Sequence, residues 1–466
     1  MRVNELFSIW SVKLIKRIIR ATGKGRGESM PGKLARILDG DILRNLAKRT
    51  NTIIITGTNG KTTTSNLISA ILGRGGLPVI NNTSGNNLIN GITQIYVEKA
   101  QELKKSRTKE WAVIECDEAT IVPLLKEVHP VVIVINNFFR DQLDRYGEID
   151  ILINKMHEAI AATDARLILN TDDPFVARFS DLKNKKIYFG ISKNAYHFEK
   201  TSVRESLYCP NCGSKLMYEA MFYSQLGYYT CEHCGFKRQI PDYEIKKIQR
   251  NNKGFLFQVT EKQQDEAGTG SSPNERTSDY QLSLFGVHNL YNALSAVSVA
   301  KELNLPNEAI FGGLENYKLK NGRMTIYHYN GTDRIVNLIK NPASADVAIG
   351  EINYDPQNKS VVFFLNDLTA DGNDVSWIWD VDFERLAQSS ISNFLCSGRR
   401  AWEMANRLKY ADIDPNKIKV VPEIGKAMDF SLVHFTKTYY LPNYTALNSV
   451  NNYLVNKSAK ENQEER

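Results

Sequence analysis

The sequence predicts an α/β chain of two successive units, each a parallel sheet covered by helices, the first interrupted by a small four-cysteine insert. Three observations carry this expectation. Short apolar runs alternate with helix-patterned stretches along most of the chain. One such run, "TIIIT", passes straight into a glycine loop and a helix. Two Cys-x-x-Cys pairs stand close together near the middle.

The 466 residues suffice for about three domains with a core in each. A composition of 42% hydrophobic and 24% charged residues is that of an ordinary globular protein. No apolar run is as long as a membrane span and no signal peptide is visible, so a cytoplasmic chain is expected. The 59 Lys and Arg exceed the 52 Asp and Glu for a formal charge of +7, which suits anionic partners such as nucleotides or a membrane surface without choosing between them.

Residues 1–50 open with "LFSIWSVKLIKRIIRATGKGRG". Leu6, Ile9, Trp10, Leu14 and Ile18 fall near helical spacing, and Lys13, Lys16, Arg17, Arg20, Lys24 and Arg26 supply a basic face and exit. Such a helix could rest on an anionic bilayer, but docking on its own domain is the commoner case for such a pattern.

The central unit is expected over 51–324. "TIIIT" reads as a buried strand and "KTTTSNLISAILGRGG" as a helix stopped by Gly75 and Gly76. Strands recur at "WAVIE", "VVIVIN" and "RLILN". An aromatic- and cysteine-rich insert follows at 205–240, then "EKQQDEAGTGSSPNERTSDY", whose polar residues suggest a mobile loop. The helix "FGVHNLYNALSAVSVAKEL" closes the unit. Residues 325–466 read as a second α/β unit, with strands at "RIVNLIK", "SVVFFLN", "SNFLCSG", "KIKVVP" and "TYYLPN".

The loop "TGTNGKTTT" is the first candidate site. Gly57 and Gly60 permit a tight backbone, Lys61 can reach phosphate oxygens, and Thr62 can offer a hydroxyl to Mg²⁺. Strand before and helix after place Gly57, Thr58, Asn59, Gly60, Lys61, Thr62 and Thr63 at a helix N-terminus, where free N–H groups and the dipole favour an anion. Only Thr58 and Asn59 separate the glycines, whereas the common phosphate loop has about four residues there. A nucleotide cradle is expected; a chance strand-turn-helix is the alternative.

In the insert, Cys209 and Cys212 of "CPNC" and Cys231 and Cys234 of "CEHC" leave eighteen residues between the pairs. That spacing suits two knuckles closing on one tetrahedral Zn²⁺, and four thiolates would make the metal structural. Redox cysteines or a nucleic-acid-reading ribbon are the alternatives. His233 is read as an exposed neighbour and Cys116 as a buried small residue.

The compact loop resembles that of the Mur ligases and folylpolyglutamate synthetases, and further segments resemble the same superfamily in the same order. By that resemblance "AVIECDEA" ends a strand in a magnesium-binding glutamate, Glu115. "INNFFRDQLDRYGEID" and "LILNTDDP" match its next two motifs, and "GVHNLYNALSA" with "NGRM" implicate His288, Asn289, Asn292 and Arg323 in nucleotide contact. Gln142 and Tyr146 stand where the ligases have histidines, which removes support for a second metal. Asn337 and Lys340 in "VNLIKNPASA" replace an acid and a histidine. The early loop leaves no expected room for a UDP-gripping N-terminal domain, which disfavours a UDP-linked substrate.

With the four-cysteine insert and the segments "NNFFRDQLDRYGEID", "NGRM", "NPA", "NDLTADGNDVSWIWDVDFE" and "PNYTAL", the chain closely resembles the MurT family over nearly its whole length. The resemblance implies a central ATP-binding unit, a C-terminal Rossmann-like unit, and ATP- and Mg²⁺-dependent amidation of the α-carboxyl of D-glutamate in lipid II at the inner membrane surface. Ammonia would come from a GatD-type glutaminase subunit in a heterodimer. Lys61 and Glu115 would serve the transfer, and Asp374 would complete the partner's Cys-His arrangement, although an Asp in a Gly-containing loop often only caps a turn. Two other classes are an amino-acid ligase of Mur or folylpolyglutamate type and a zinc-ribbon nucleic-acid-binding NTPase. The latter lacks a basic-aromatic stripe, so no nucleic acid is expected.

Overall fold

Ile53, Ile54 and Ile55 are all fully buried, which makes β1 (Thr50–Thr56) a strand covered on both faces. The computed structural model describes residues 12, 29–82, 86–139, 149–196, 206–251, 253–262, 275–317, 324–369, 371–372, 374–387 and 390–464. After β1 come β2 (Val79–Asn81), β3 (Glu110–Glu115), β4 (Pro130–Ile135), β5 (Arg166–Asn170) and β6 (Lys186–Ile191). The hairpin strands β7 (Met217–Tyr223) and β8 (Leu226–Thr230) follow, then β9 (Tyr243–Asn251), β10 (Gly254–Lys262) and β11 (Glu275–Leu282).

Nine of these form one sheet in the order β11-β10-β9-β6-β5-β4-β1-β3-β2. It is parallel from β2 through β9, and β9, β10 and β11 add an antiparallel arm. Alternation sorts its side chains. Ile53, Ile55, Val113, Val132 and Val134 meet the helices Lys61–Arg74 and Val287–Glu302 on one face. Ile54, Ala112, Ile114, Ile133 and Ile135 meet the helices Ile42–Ala47, Ile89–Lys105 and Ile149–Ala161 on the other.

Because β1 lies between β3 and β4, the chain's path reverses here, and the loops after these three strands converge at their C-terminal ends. In open α/β sheets that is where ligands bind.

The second sheet contains β12 (Thr325–Tyr329), β13 (Thr332–Val336), β14 (Lys359–Phe364), β15 (Ile391–Ser397), β16 (Ile418–Val420) and β17 (Thr438–Pro442), in the order β12-β13-β17-β14-β15-β16. Only β12 and β13 are antiparallel, joined by the positive-φ pair Asn330 and Gly331 that a two-residue hairpin requires. The other pairs are parallel.

The antiparallel arm is where the sequence expectation fails. Residues 275–280, read as part of a mobile loop, are strand β11, because Tyr280 and Leu282 alternate inward opposite Phe257 and Phe255. Their period of two is masked by the polar residues between them. The amphipathic start, with Leu6, Ile9, Trp10, Leu14 and Ile18, lies outside the described residues; Val12 is buried in the core of the larger sheet. No described helix is long and apolar enough to cross a membrane.

Candidate functional site

The loop leaving β1 turns on two glycines that only glycine can supply. Gly57 has φ 121°, and a Cβ there would sit 2.7 Å from the Asn137 carbonyl oxygen. Gly60 has φ 86°, and its Cβ would lie 2.0 Å from the Asn292 side-chain oxygen. The helix Lys61–Arg74 starts at once, so its first N–H groups face the loop. Lys61 is buried, and its ammonium donates to Gly57 O at 2.6 Å, Thr58 O at 3.3 Å and Glu118 Oε2 at 3.1 Å. Thr62 is half-buried in the first turn and Thr63 is buried.

Glu118 was not singled out in the sequence, yet it is the anion that holds the loop lysine. Burial alone would raise its carboxyl, but the charge of Lys61, a backbone N–H and the charge of Lys340 hold it below the usual glutamate range. Three positions earlier, at the end of β3, Glu115 is buried. Its Oε1 accepts from Asn87 Nδ2 at 3.3 Å, and Asn82 fixes its backbone through bonds of 2.8 and 2.7 Å. Its Oε2 is buried and takes no hydrogen bond among the described residues, a situation that a bound cation would relieve. Cys116 beside it is fully buried, which with the neighbouring carboxylates keeps its thiol well above the ordinary range; it is an inert packing residue.

A set of asparagines ties three strands' loops together. Asn137, just past β4, accepts from Asn59 N at 2.9 Å and donates to Asn59 O at 3.1 Å, while its own carbonyl accepts from Thr58 N at 2.9 Å. Thr64 Oγ1 accepts from Asn136 Nδ2 at 3.0 Å and donates to Asn292 Oδ1 at 3.2 Å. Asn292 in turn donates to Asn289 Oδ1 at 3.1 Å. So Asn292 lies against Gly60 with Asn289 behind it, and His288, half-buried one position before Asn289, has its ring 6.2 Å from that of Tyr223. Arg323, Gln142 and Tyr146 lie outside the described residues. From the second unit, Asn341, the N-cap of the helix Pro342–Tyr354, reaches Asn59 Oδ1 with its Nδ2 at 3.4 Å.

The four cysteines converge. The sulfurs of Cys209, Cys212, Cys231 and Cys234 all lie within 4.8 Å of one another, a donor set able to hold a metal ion. Each pair is a tight knuckle: Gly213 N donates to Cys209 O at 2.9 Å and Gly235 N to Cys231 O at 3.0 Å, both glycines at positive φ.

Asp374 stands apart, on the loop after β14. It is exposed, and its two oxygens accept from Ser376 N at 2.7 Å and Ser376 Oγ at 2.8 Å, closing the turn into the short helix Ser376–Asp380. Asp371 is instead buried and accepts from Thr445 N at 2.8 Å. Asp367 is held below the usual range by Arg399 and Arg400. Of the three aspartates only Asp374 is solvent-facing with no cationic partner among the described residues.

The Mur ligase middle domain model matches residues 55–218 and the MurT ligase C-terminal model matches 338–447. The chain is 40% identical over 446 residues to a Staphylococcus aureus (strain COL) protein named "Lipid II isoglutaminyl synthase (glutamine-hydrolyzing) subunit MurT", covering 96% of each. To the Streptococcus pneumoniae (strain ATCC BAA-255 / R6) protein of that name it is 34% identical, with 91% of each covered. Among solved structures it is similar to a pseudomurein peptide ligase type C from Methanothermus fervidus, with a TM-score of 0.68, 24% identity, and 90% of this chain and 80% of that one covered. A MurF ligase from Thermotoga maritima in complex with ADP has a TM-score of 0.59 at 14% identity, covering 92% of this chain and 85% of that one. Over nearly its whole length, phosphate-type loop and C-terminal unit included, this chain belongs to the MurT family of Mur ligase-fold proteins.

Proposed function

We propose that the chain is the synthetase subunit of a lipid II isoglutaminyl synthase, converting the α-carboxyl of D-glutamate in the lipid II stem peptide to the amide at the expense of ATP. The observation that carries this is Lys61 at a helix start, paired with Glu118 three residues past the strand-end Glu115, in a chain whose curated relatives bear that name over nearly their whole length. Residues 51–324, with the insert 205–240, would form the ATP-binding unit and 325–466 the second unit.

A carboxylate does not react with ammonia at neutral pH, because its oxygen is a poor leaving group. Transfer of the γ-phosphoryl group to that oxygen gives an acyl phosphate and ADP. Ammonia then attacks the carbonyl carbon, and phosphate leaves with the oxygen. Lys61 and the helix N–H groups would cradle the phosphates and offset charge on the transferring group. Thr62 and Glu115 would hold Mg²⁺, which when bound neutralises phosphate charge. Asn289, Asn292 and His288 would frame the nucleotide, with Arg323.

Free ammonia is mostly ammonium near neutral pH, so release from glutamine inside a GatD-type partner suits the chemistry. Asn337 and Lys340, where amino-acid ligases have an acid and a histidine, fit an acceptor pocket with no amino acid to grip. The basic start would bring the enzyme to the cytoplasmic face of the membrane that holds lipid II.

The test is turnover of lipid II with a GatD-type subunit, ATP and glutamine, read by mass spectrometry as carboxyl-to-carboxamide conversion. Activity with glutamine or ammonium and none with free amino acids is expected. Addition of a whole amino acid would overturn the reading.

The cysteine cluster is assigned a structural Zn²⁺. Elemental analysis is expected to find about one zinc per chain, and Cys209→Ser to lose it with a lowered melting temperature of the insert. Metal-free wild-type protein of full stability would count against the assignment.

A further inference from the structure

The helix Pro342–Tyr354 is shared between two cores. Ala345, Ala348, Ile349 and Ile352 lie in the core of the second sheet. Ala343 is buried in the core of the nine-stranded sheet, and Val347 packs against that core. Glu351 and Tyr354 continue this stripe at steps of four and three residues, the spacing of one helix face. The stripe ends on the antiparallel arm. Arg250 of β9 forks onto Glu351, its two terminal nitrogens donating to Oε1 at 3.1 Å and Oε2 at 2.8 Å, and its guanidinium lies 3.6 Å from the centre of the Tyr354 ring.

The side chains of Arg250 and Glu351 are only 14% and 8% exposed. Contacts between units of one chain are ordinarily polar and loose, so a desolvated fork at this place calls for a reason. Stability is a poor one, because desolvation of the two charges offsets most of their attraction. Geometry is a better one: a guanidinium that grips both oxygens of a carboxylate fixes direction as well as distance, which a point charge or an apolar contact does not. The same end of the helix is tied to its own unit, where the C-cap Asp355 accepts from the Tyr439 hydroxyl at 2.9 Å and pairs with Lys437 at 2.7 Å. A slide of the second unit along the arm therefore has to break the fork.

Glu351 stands ten residues beyond the N-cap Asn341, about 15 Å along the helix axis. At that other end Asn341 reaches Asn59 of the phosphate-type loop at 3.4 Å, and the charge of Lys340 acts on Glu118, the partner of Lys61. We propose that Arg250 is a positioning residue for the amidation: its fork sets the register of the shared helix on the β9–β11 arm, and the rigid helix holds Lys340 and Asn341 at the reacting end. The inference rests on the amidation reading. It gives a task to an arm that β6, β5 and β4 separate from β1 and its loop.

The test uses the full chain assembled with its glutaminase subunit. Arg250→Lys keeps the charge and loses the fork, whereas Arg250→Met/Glu351→Met replaces the pair by apolar side chains and strands no charge. Both are expected to lower kcat for lipid II amidation about tenfold or more, while the Kd for Mg·ADP, read by calorimetry, stays within about twofold. The double variant is expected to melt no earlier than the wild type. Its amides 343–347, at the helix start, are expected to exchange hydrogen faster. Full turnover in the folded double variant would reduce the pair to a packing contact and overturn the inference. So would unaltered exchange at the helix start, or a loss of Mg·ADP affinity as large as the loss of kcat. A wild-type complex that makes no amide would remove the amidation reading first, and the inference with it.

Discussion

Lys61→Ala is expected to lower ATP-dependent amidation by about a thousandfold or more, since it removes a preorganised cation from the path of the transferring phosphoryl group. The same change strands Glu118, a buried carboxylate whose ion pair with Lys61 spans 3.1 Å. Breaking one side of a buried pair costs about 3–5 kcal/mol, so the single variant should also melt early. Lys61→Ala/Glu118→Gln removes both charges and is expected to recover most of the stability with none of the turnover. Comparing the two by thermal melting and by lipid II amidation separates the fold from the chemistry. Near-normal turnover in the folded double variant would remove Lys61 from the mechanism. Glu115→Ala should lose turnover without a comparable stability penalty, because one of its oxygens already lacks a partner among the described residues.

Asp374→Asn is expected to lower glutamine hydrolysis by the assembled complex about 10²–10⁴-fold, the range of a positioned acid or base, while ATP binding by this chain stays as it is. A carboxylate beside the partner's histidine would fix the imidazole tautomer and stabilise the imidazolium as the thiol loses its proton. The structure makes this substitution a clean probe. Asp374 now caps a turn through Ser376 N at 2.7 Å, and an asparagine oxygen accepts that bond as well, so the loop should survive the change. Added ammonium should restore amidation in part, because the synthetase half is untouched. Unchanged glutaminase activity in an assembled complex would show that Asp374 is only a cap.

What was legible in the sequence follows how local each feature is. The strand-loop-helix around Gly57 to Lys61 needs only its own residues, and the four-cysteine spacing needs only two knuckles, so both could be read directly. Glu118 was within reach, three residues past Glu115, but its role depends on β3 lying beside β1, a pairing between distant segments. Asn136 and Asn137 matter because β4 lies on the other side of β1, which no short window reveals. Tyr223 is further still, since its place is set by a hairpin folding back through an insert. The β9–β11 arm was missed for another reason: its alternation is diluted by charged residues on a solvent-facing side, as the pattern of Glu275–Leu282 shows.

The pairing of β6 with β9 has a consequence for how the chain is made. β9 follows β6 only after the four-cysteine insert in the sequence, so at the moment β6 emerges from the ribosome its outer edge has no neighbour. An unpaired edge of apolar strand recruits other chains. That edge closes only after the insert and β9 have both been made, and the contact between distant segments is intrinsically slow. The four-cysteine insert is thus synthesised ahead of the strand that closes this edge. Slow synthesis through the insert would be expected to prolong that exposure and favour aggregation, before any question of catalysis arises.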